Sequence, residues 1–218
     1  MNDHSWASGS GAREPIAEIP STCAAVLLAA GSASRFAGPT HKLLAPLRGR
    51  TVIEWSFRAV MDAGFATIIV VNGPIPFDLE GPGVINVHNP LWESGQASSV
   101  RAGIAAAQGL QMTSVVVGLG DQPFVTPEAW GRVARSTMAI AVATYVVSET
   151  DSMTGTGKTT KTRGNPVRLA DSVWDLLPEE GDFGARNLIS SRPELVEEVL
   201  CSGSPSDIDT IEDLRKWN

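Results

Sequence analysis

Ala24-Ala25-Val26-Leu27-Leu28-Ala29-Ala30-Gly31 is the stretch that decides the fold class. It is a short, unbroken apolar run closed by glycine. A half-exposed strand would alternate apolar and polar residues, so this run reads as a strand buried on both faces. Such strands belong to parallel sheets covered by helices. Helical patterns should therefore follow, and they do. Thr51–Ala63 has helical spacing through Val52, Trp55, Ala59 and Val60, with Thr51 as N-cap and Gly64 as stop.

Working outward, the alternation continues. Thr67–Val71 and Val84–Val87 read as strands, and Ser98–Ala107 as a helix of small residues. Ser114–Val117 is a strand with a polar end at Gly118–Asp121, and Thr126-Pro127-Glu128 opens a helix to about Thr137. Ile140–Val147 is a strand, 149–163 a mobile excursion, and Asn165–Leu169 extended. Asp171–Leu177 and Gly184–Ser191 read as helices, Glu194–Cys201 as a late strand, and Thr210–Trp217 as a closing helix. The pattern predicts an α/β fold: three layers, Rossmann-like, with a mixed, mostly parallel sheet. Residues 1–21 read as a flexible leader and 22–218 as one domain, a division that a chain of 218 residues allows.

Composition excludes several classes. No run approaches ~18 consecutive apolar residues, so no membrane span is expected. Residues 1–20 lack a basic segment followed by an apolar one, so they do not read as a signal peptide. Net charge is −7, and no Lys/Arg run is present, which argues against a nucleic-acid partner. The two cysteines, Cys23 and Cys201, lie in or beside apolar runs and read as buried reduced thiols of a cytoplasmic protein. Three scattered histidines do not have zinc-site spacing.

Ligands of parallel sheets bind beyond the carboxyl ends of the strands, so chemistry is sought there. Leu28-Ala29-Ala30-Gly31-Ser32 begins a loop of small residues that continues to Arg35 and Lys42. Successive N–H groups in such a loop make an anion nest, and Arg35 and Lys42 suit phosphate oxygens. The alternative is a Gly/Ser turn with solvated cations. Gly120-Asp121 ends a strand, and a carboxylate there can hold Mg²⁺, or can be a turn former. Asp207 and Asp209 share one side if their segment is extended, or merely begin an acidic helix. Gly155-Thr156-Gly157-Lys158-Thr159 imitates a P-loop, but Ser152 stands where that motif needs glycine.

These segments resemble the MobA-like nucleotidyltransferase family, and within it the molybdenum cofactor cytidylyltransferase branch. Leu28–Lys42 matches the opening L-A-A-G-x-S-x-R signature, with a longer connection at Ala37-Gly38-Pro39-Thr40-His41. Asn89–Trp92 followed by Gly95–Gly103 matches N-x-x-W-x-x-G…S-S-x-R-x-G, and Asp121-Gln122-Pro123 matches D-x-P. Gly164-Asn165-Pro166-Val167, Gly181–Arg186 and Asp207–Asp213 match later family segments in the same order.

The resemblance implies a fold of the GT-A-like nucleotidyltransferase type. It implies Arg35, Lys42 and Asp121 as catalytic residues. A nucleotide would lie on Leu28, Ala29, Ala30, Gly31, Ser32, Arg35, Lys42, Gly95, Ser98, Ser99 and Gly120. Mg²⁺ would be held by Asp121 and Asp209, and an acceptor by Asn165, Asp182 and Arg186. The implied substrates are an NTP, with CTP favoured, and a phosphorylated acceptor, with molybdopterin favoured. A molybdoenzyme or its chaperone would be a protein partner. Other readings are a sugar- or polyol-phosphate cytidylyltransferase, an accessory protein of a molybdoenzyme, and an NAD(P)-dependent oxidoreductase. The missing G-x-G-x-x-G argues against the last.

Overall fold

The computed structural model describes residues 18–38, 40–150, 157–182 and 184–218. Most of the leader, residues 151–156 of the 149–163 segment with the first two residues of the P-loop imitation, Pro39 and Phe183 lie outside these ranges.

The strands are β1 (Cys23–Ala29), β2 (Pro46–Leu47), β3 (Arg50–Thr51), β4 (Ile68–Asn72), β5 (Val84–His88), β6 (Ser114–Leu119), β7 (Ile140–Thr150), β8 (Gly157–Ala170) and β9 (Val196–Leu200). The α-helices are α1 (Val52–Ala63), α2 (Gln96–Gly109), α3 (Pro127–Ala134), α4 (Arg186–Ser191) and α5 (Ile211–Trp217). Among the described residues the main sheet has seven strands in the order β5-β4-β1-β6-β8-β7-β9. The first four run parallel, β8 is antiparallel to both β6 and β7, and β9 is parallel to β7. This is the mixed, mostly parallel sheet that the sequence predicts.

The reason β1 is apolar throughout is visible in the packing. Cys23, Ala25, Leu27 and Ala29 enter one core, and Ala24, Val26 and Leu28 enter another. Alternate side chains of a strand face opposite ways, so a strand between two helix layers needs apolar residues at every position. α1 and α3 cover the first face with Val52, Ile53, Val60 and Trp130. α2 and α4 cover the second with Val100, Ile104, Leu188 and Ile189. α2 lies close to the sheet because Gly103 has no side chain: a Cβ there would stand 2.5 Å from Val26 Cγ1. Cys23 and Cys201 are both buried and unpaired.

Local signals are realised as read for α1. Thr51 and Glu54 form a capping box, and Gly64 stops the helix at φ 86°. Three readings need correction. Residues 31–50, which read from their Gly, Ser and Pro content as one long loop, contain a 3-10 turn at Lys42–Leu44 and the small β2–β3 pair. The helix after Thr126 ends at Ala134 rather than near Thr137. The 149–163 segment is no loose excursion in its described parts, because β7 and β8 pair through Thr150 and Gly157.

Candidate active site

The site forms where the chain direction across the sheet reverses. From β1 the chain passes to β4 and β5 on one side, and returns to place β6 on the other side. The loops leaving β1 and β6 therefore flank one crevice. Gly120 makes the turn out of β6. Its N–H donates to Leu28 O at 2.8 Å, and Ser56 Oγ donates to its carbonyl at 2.9 Å. A Cβ at Gly120 would stand 2.7 Å from Ile53 Cδ1, so this position delivers Asp121 rather than touching a ligand.

Lys42 is the centre of the charge cluster. Its Nζ lies 2.6 Å from Asp121 Oδ2 and 2.6 Å from Asp209 Oδ1, and the residue is 9% exposed. Burial pulls the ammonium down, but the two carboxylates outweigh it and raise Lys42 above its ordinary value. Arg35 reaches Asp209 Oδ2 at 2.9 Å from a side chain that is 76% exposed. The longer connection at residues 37–41 thus still brings Lys42 to the cluster. Asp121 Oδ1 is buried and has no hydrogen-bond partner. An unpaired carboxylate oxygen is a costly thing to bury. Two hard oxygen donors that share one cation, with a third oxygen unsatisfied, fit a divalent ion shared with substrate phosphates. Among the described residues no group of three or more His, Cys, Asp or Glu side chains is placed to hold a metal, so phosphate or water would complete such a shell.

A cleft of about 600 Å³ opens over this cluster. Of the residues expected to hold a nucleotide, Leu28, Ala30, Gly31, Ser32, Arg35, Lys42, Gly95 and Ser99 line it, together with Asp121 and Asp209. Ala29, Ser98 and Gly120 do not. Ala29 is packed in the core. Ser98 is buried, with its hydroxyl donating to Leu91 O and Gly95 O and accepting from Asn89 Nδ2. These three shape the wall from behind.

A second cleft of about 500 Å³ adjoins the first and shares Gln96, Leu119 and Asp182 with it. Asn165, Asp182 and Arg186, the expected acceptor residues, all line it, against a wall that includes Val117, Val142 and Ile189. Asp207 faces this second cleft while Asp209 faces the first, so the two acids divide between the clefts. Burial and then the Asp121 charge push the Asp207 carboxyl above its ordinary value. Gln122 organises this wall. Its Nε2 donates to Asp207 Oδ1 at 2.6 Å and to Pro205 O at 2.9 Å, and its Oε1 accepts from Asn165 Nδ2 at 3.1 Å.

Sequence reasoning did not single out Gln122, Trp92, Glu93 or Gln96 as site residues. Trp92, Gln96 and Gln122 sit inside the quoted motifs, and that adjacency was the available signal. Glu93 had none.

A mostly parallel sheet with a cationic loop and two acids at its carboxyl edge defines an α/β nucleotidyltransferase. The sequence matches the MobA-like NTP transferase domain over residues 25–197, and the chain belongs to that family. It is 30% identical over 199 residues to the nicotine blue oxidoreductase of Paenarthrobacter nicotinovorans, covering 87% of this chain and 93% of that one. It is 26% identical over 204 residues to the purine catabolism protein PucB of Bacillus subtilis, covering 86% and 92%. The crystal structure of Rv0371c from Mycobacterium tuberculosis is similar with a TM-score of 0.69 at 29% identity, over 89% of this chain and 96% of that chain. Its complex with manganese is similar with a TM-score of 0.63 at 26% identity, over 89% and 97%. No helix among the described residues is long and apolar enough to cross a membrane.

Proposed function

We propose that this protein transfers CMP from CTP to a phosphorylated acceptor of the molybdopterin class and releases pyrophosphate. The observation that carries the reading is the Lys42–Asp121–Asp209 cluster lining the first of two adjoining clefts, with Asp121 Oδ1 left unpartnered. One cleft suits a triphosphate and the other an acceptor.

In this reaction an acceptor phosphate oxygen attacks the α-phosphorus, and the bond to the pyrophosphate oxygen breaks. The attacking group is already an anion, so no strong base is needed. The obstacle is the meeting of anions. Arg35 and Lys42 supply the positive charge that holds the triphosphate and receives the departing pyrophosphate. The N–H groups of the Gly31–Ser34 loop orient it. Asp182, Asn165 and Arg186 hold the acceptor on the other side. Mg²⁺ held by Asp121 and Asp209 would neutralise charge on the phosphate oxygens.

The test is pyrophosphate release across the four NTPs, with molybdopterin-type and sugar-phosphate acceptors, for wild type and Asp121→Asn. CTP with a pterin-type acceptor should give the highest kcat/KM. The variant should lose roughly 10²-fold in kcat, the size of one lost electrostatic stabiliser. Near-normal turnover in a folded Asp121→Asn protein removes Asp121 from the chemistry. An oxidoreductase reading has one observation on its side, the name of the Paenarthrobacter relative. Binding or oxidation of NAD(P)H, followed by absorbance, would select it instead.

A further inference from the structure

The loop between β1 and α1 carries one side chain that the nucleotidyltransferase chemistry leaves unused. His41 Nε2 lies 2.9 Å from the carbonyl oxygen of Gly31, ten residues earlier. His41 Nδ1 accepts from the N–H of Leu43 at 3.3 Å, as the N-cap of the Lys42–Leu44 turn. The second bond fixes the tautomer. A ring nitrogen that accepts carries no proton, so the neutral imidazole is protonated at Nε2 and donates to Gly31. Phe77 lies against the ring at 5.7 Å between centroids. His41 is therefore held between the start of the phosphate loop and the turn that bears Lys42.

The peptide plane carries this contact into the cleft. In a trans peptide the C=O and the following N–H point to opposite sides. With the Gly31 carbonyl turned toward His41, the Ser32 N–H is aimed away from it. Gly31, Ser32 and Lys42 all line the nucleotide cleft.

We propose that His41 is a positioning residue for the NTP: it clamps the Gly31–Ser32 peptide to the Lys42 turn, so that loop N–H groups and the Lys42 ammonium meet one triphosphate. The inference rests on the nucleotidyltransferase reading and deepens it. The connection at 37–41 is long for the family pattern, and a long connection leaves a lysine free to miss its target. The clamp removes that freedom and orders the loop before the ligand arrives.

The clamp has a built-in pH limit. A second proton on the ring would occupy Nδ1 and abolish the acceptor for Leu43 N–H. Burial is the main force holding His41 below the ordinary histidine value of 6.5. The Lys42 charge adds to it, while the Gly31 bond and Asp121 pull the other way. Lys42 and Asp121 are the charged groups that face the ring, and Lys42, raised above its ordinary value, stays charged throughout. The clamp is thus intact at neutral pH and above, and is lost as pH falls through the lowered histidine value.

His41→Asn and His41→Ala test this by pyrophosphate-release kinetics and by calorimetric titration of CTP. Asparagine still caps the turn but is too short to reach Gly31, so it isolates the clamp and keeps the fold. The KM and Kd for CTP should rise about fivefold in His41→Asn, the effect of one lost hydrogen bond, and at least as much in His41→Ala, which loses the cap as well. The acceptor KM should not move. The wild-type advantage over His41→Asn in CTP affinity should shrink as pH is lowered through the titration of His41 itself, followed by NMR of the imidazole in the same buffers. Taking this ratio cancels the ionisation of CTP itself. Unchanged CTP affinity in His41→Asn, an equal rise in acceptor KM, or a pH-independent ratio overturns the inference. Failure of the wild-type protein to bind any NTP is a different result, and removes the nucleotidyltransferase reading instead.

Discussion

Lys42 and Arg35 carry the same charge into the same cleft, yet they leave different things behind when removed. Arg35 is mostly exposed and meets one carboxylate, so its ion pair contributes about 0–1 kcal/mol in water. It can leave Asp209 for a phosphate at little loss. Lys42 is buried and neutralises Asp121 and Asp209 together. Without it, two neighbouring acids face each other with one oxygen already unpaired. Lys42→Ala should therefore destabilise the protein by about 2 kcal/mol, below the ~3–5 kcal/mol of a fully buried pair because both acids keep some solvent. Arg35→Ala should leave the melting temperature nearly unchanged. Millimolar Mg²⁺ or Mn²⁺ should then raise the melting temperature of Lys42→Ala more than that of wild type. Equal gains in both would mean that the lysine and the ion do not share the carboxylates. The sign of the pH dependence follows from the raised lysine value. The contribution of Lys42 is complete below its ordinary 10.5, fades as pH rises from there through the raised value and is gone above it, so melting curves between about pH 7 and pH 9 should not differ on its account.

The β7–β8 hairpin shows what an element does that its composition conceals. Lys158–Arg163 mixes threonine with charge, and the Gly/Thr/Lys-rich segment 149–163 that holds it reads from its sequence as a mobile excursion. Its threonines are β-branched and fit a paired strand, and the partner strand supplies the rest. Tyr145 pairs with Thr162 and Val147 with Thr160. Pairing between strands is a non-local fact, which a single segment cannot announce. The central strand β1 needed no such partner information, because two-sided burial is written into every one of its residues. The hairpin also carries an irregularity: Val142 pairs with Val167 but Ala143 with Gly164, which leaves Asn165 and Pro166 outside the ladder. Such bulges re-aim side chains near sites. Here Asn165 lines the second cleft, and Tyr145 Oη donates to its carbonyl at 2.6 Å. Burial, with Cys201 and Glu128 adding to it, pushes the Tyr145 phenol well up, so it remains a donor. Tyr145→Phe should remove about 1 kcal/mol of stability in urea titration. It should raise the acceptor KM while the KM for CTP stays put. A shift in both constants would show that the bulge serves the whole cleft rather than its acceptor side.

At the scale of the molecule, the active site is closed by the end of the chain. The cationic loop after β1 and the acid after β6 could be anticipated from strand ends alone, since ligands gather there. What joins them could not, because Gln122 with Asp207, Asn165 with Gln122 and Lys42 with Asp209 are contacts across long stretches of sequence. The segment that makes the first and last of these, Asp207 to Asp209, is anchored by one apolar side chain. Ile208 is fully buried in the core beside α1 and α3, and its N–H donates to Asp121 O at 2.9 Å. Its neighbours Asp207 and Asp209 serve the two clefts. Stability and chemistry are therefore coupled at this residue. Ile208→Ala removes buried methylenes and should cost about 2–5 kcal/mol, whereas Ile208→Val should cost about 0.5–1.5 kcal/mol. If the buried isoleucine also fixes Asp209 against Lys42, Ile208→Ala should lose turnover beyond its unfolded fraction, and Ile208→Val should not. Pyrophosphate release, normalised to the folded fraction measured by circular dichroism at the assay temperature, separates the two effects. A destabilised Ile208→Ala protein with wild-type kcat per folded molecule would show that Asp209 finds Lys42 without its anchor, and that the ion pair rather than the core sets the position of the chain end.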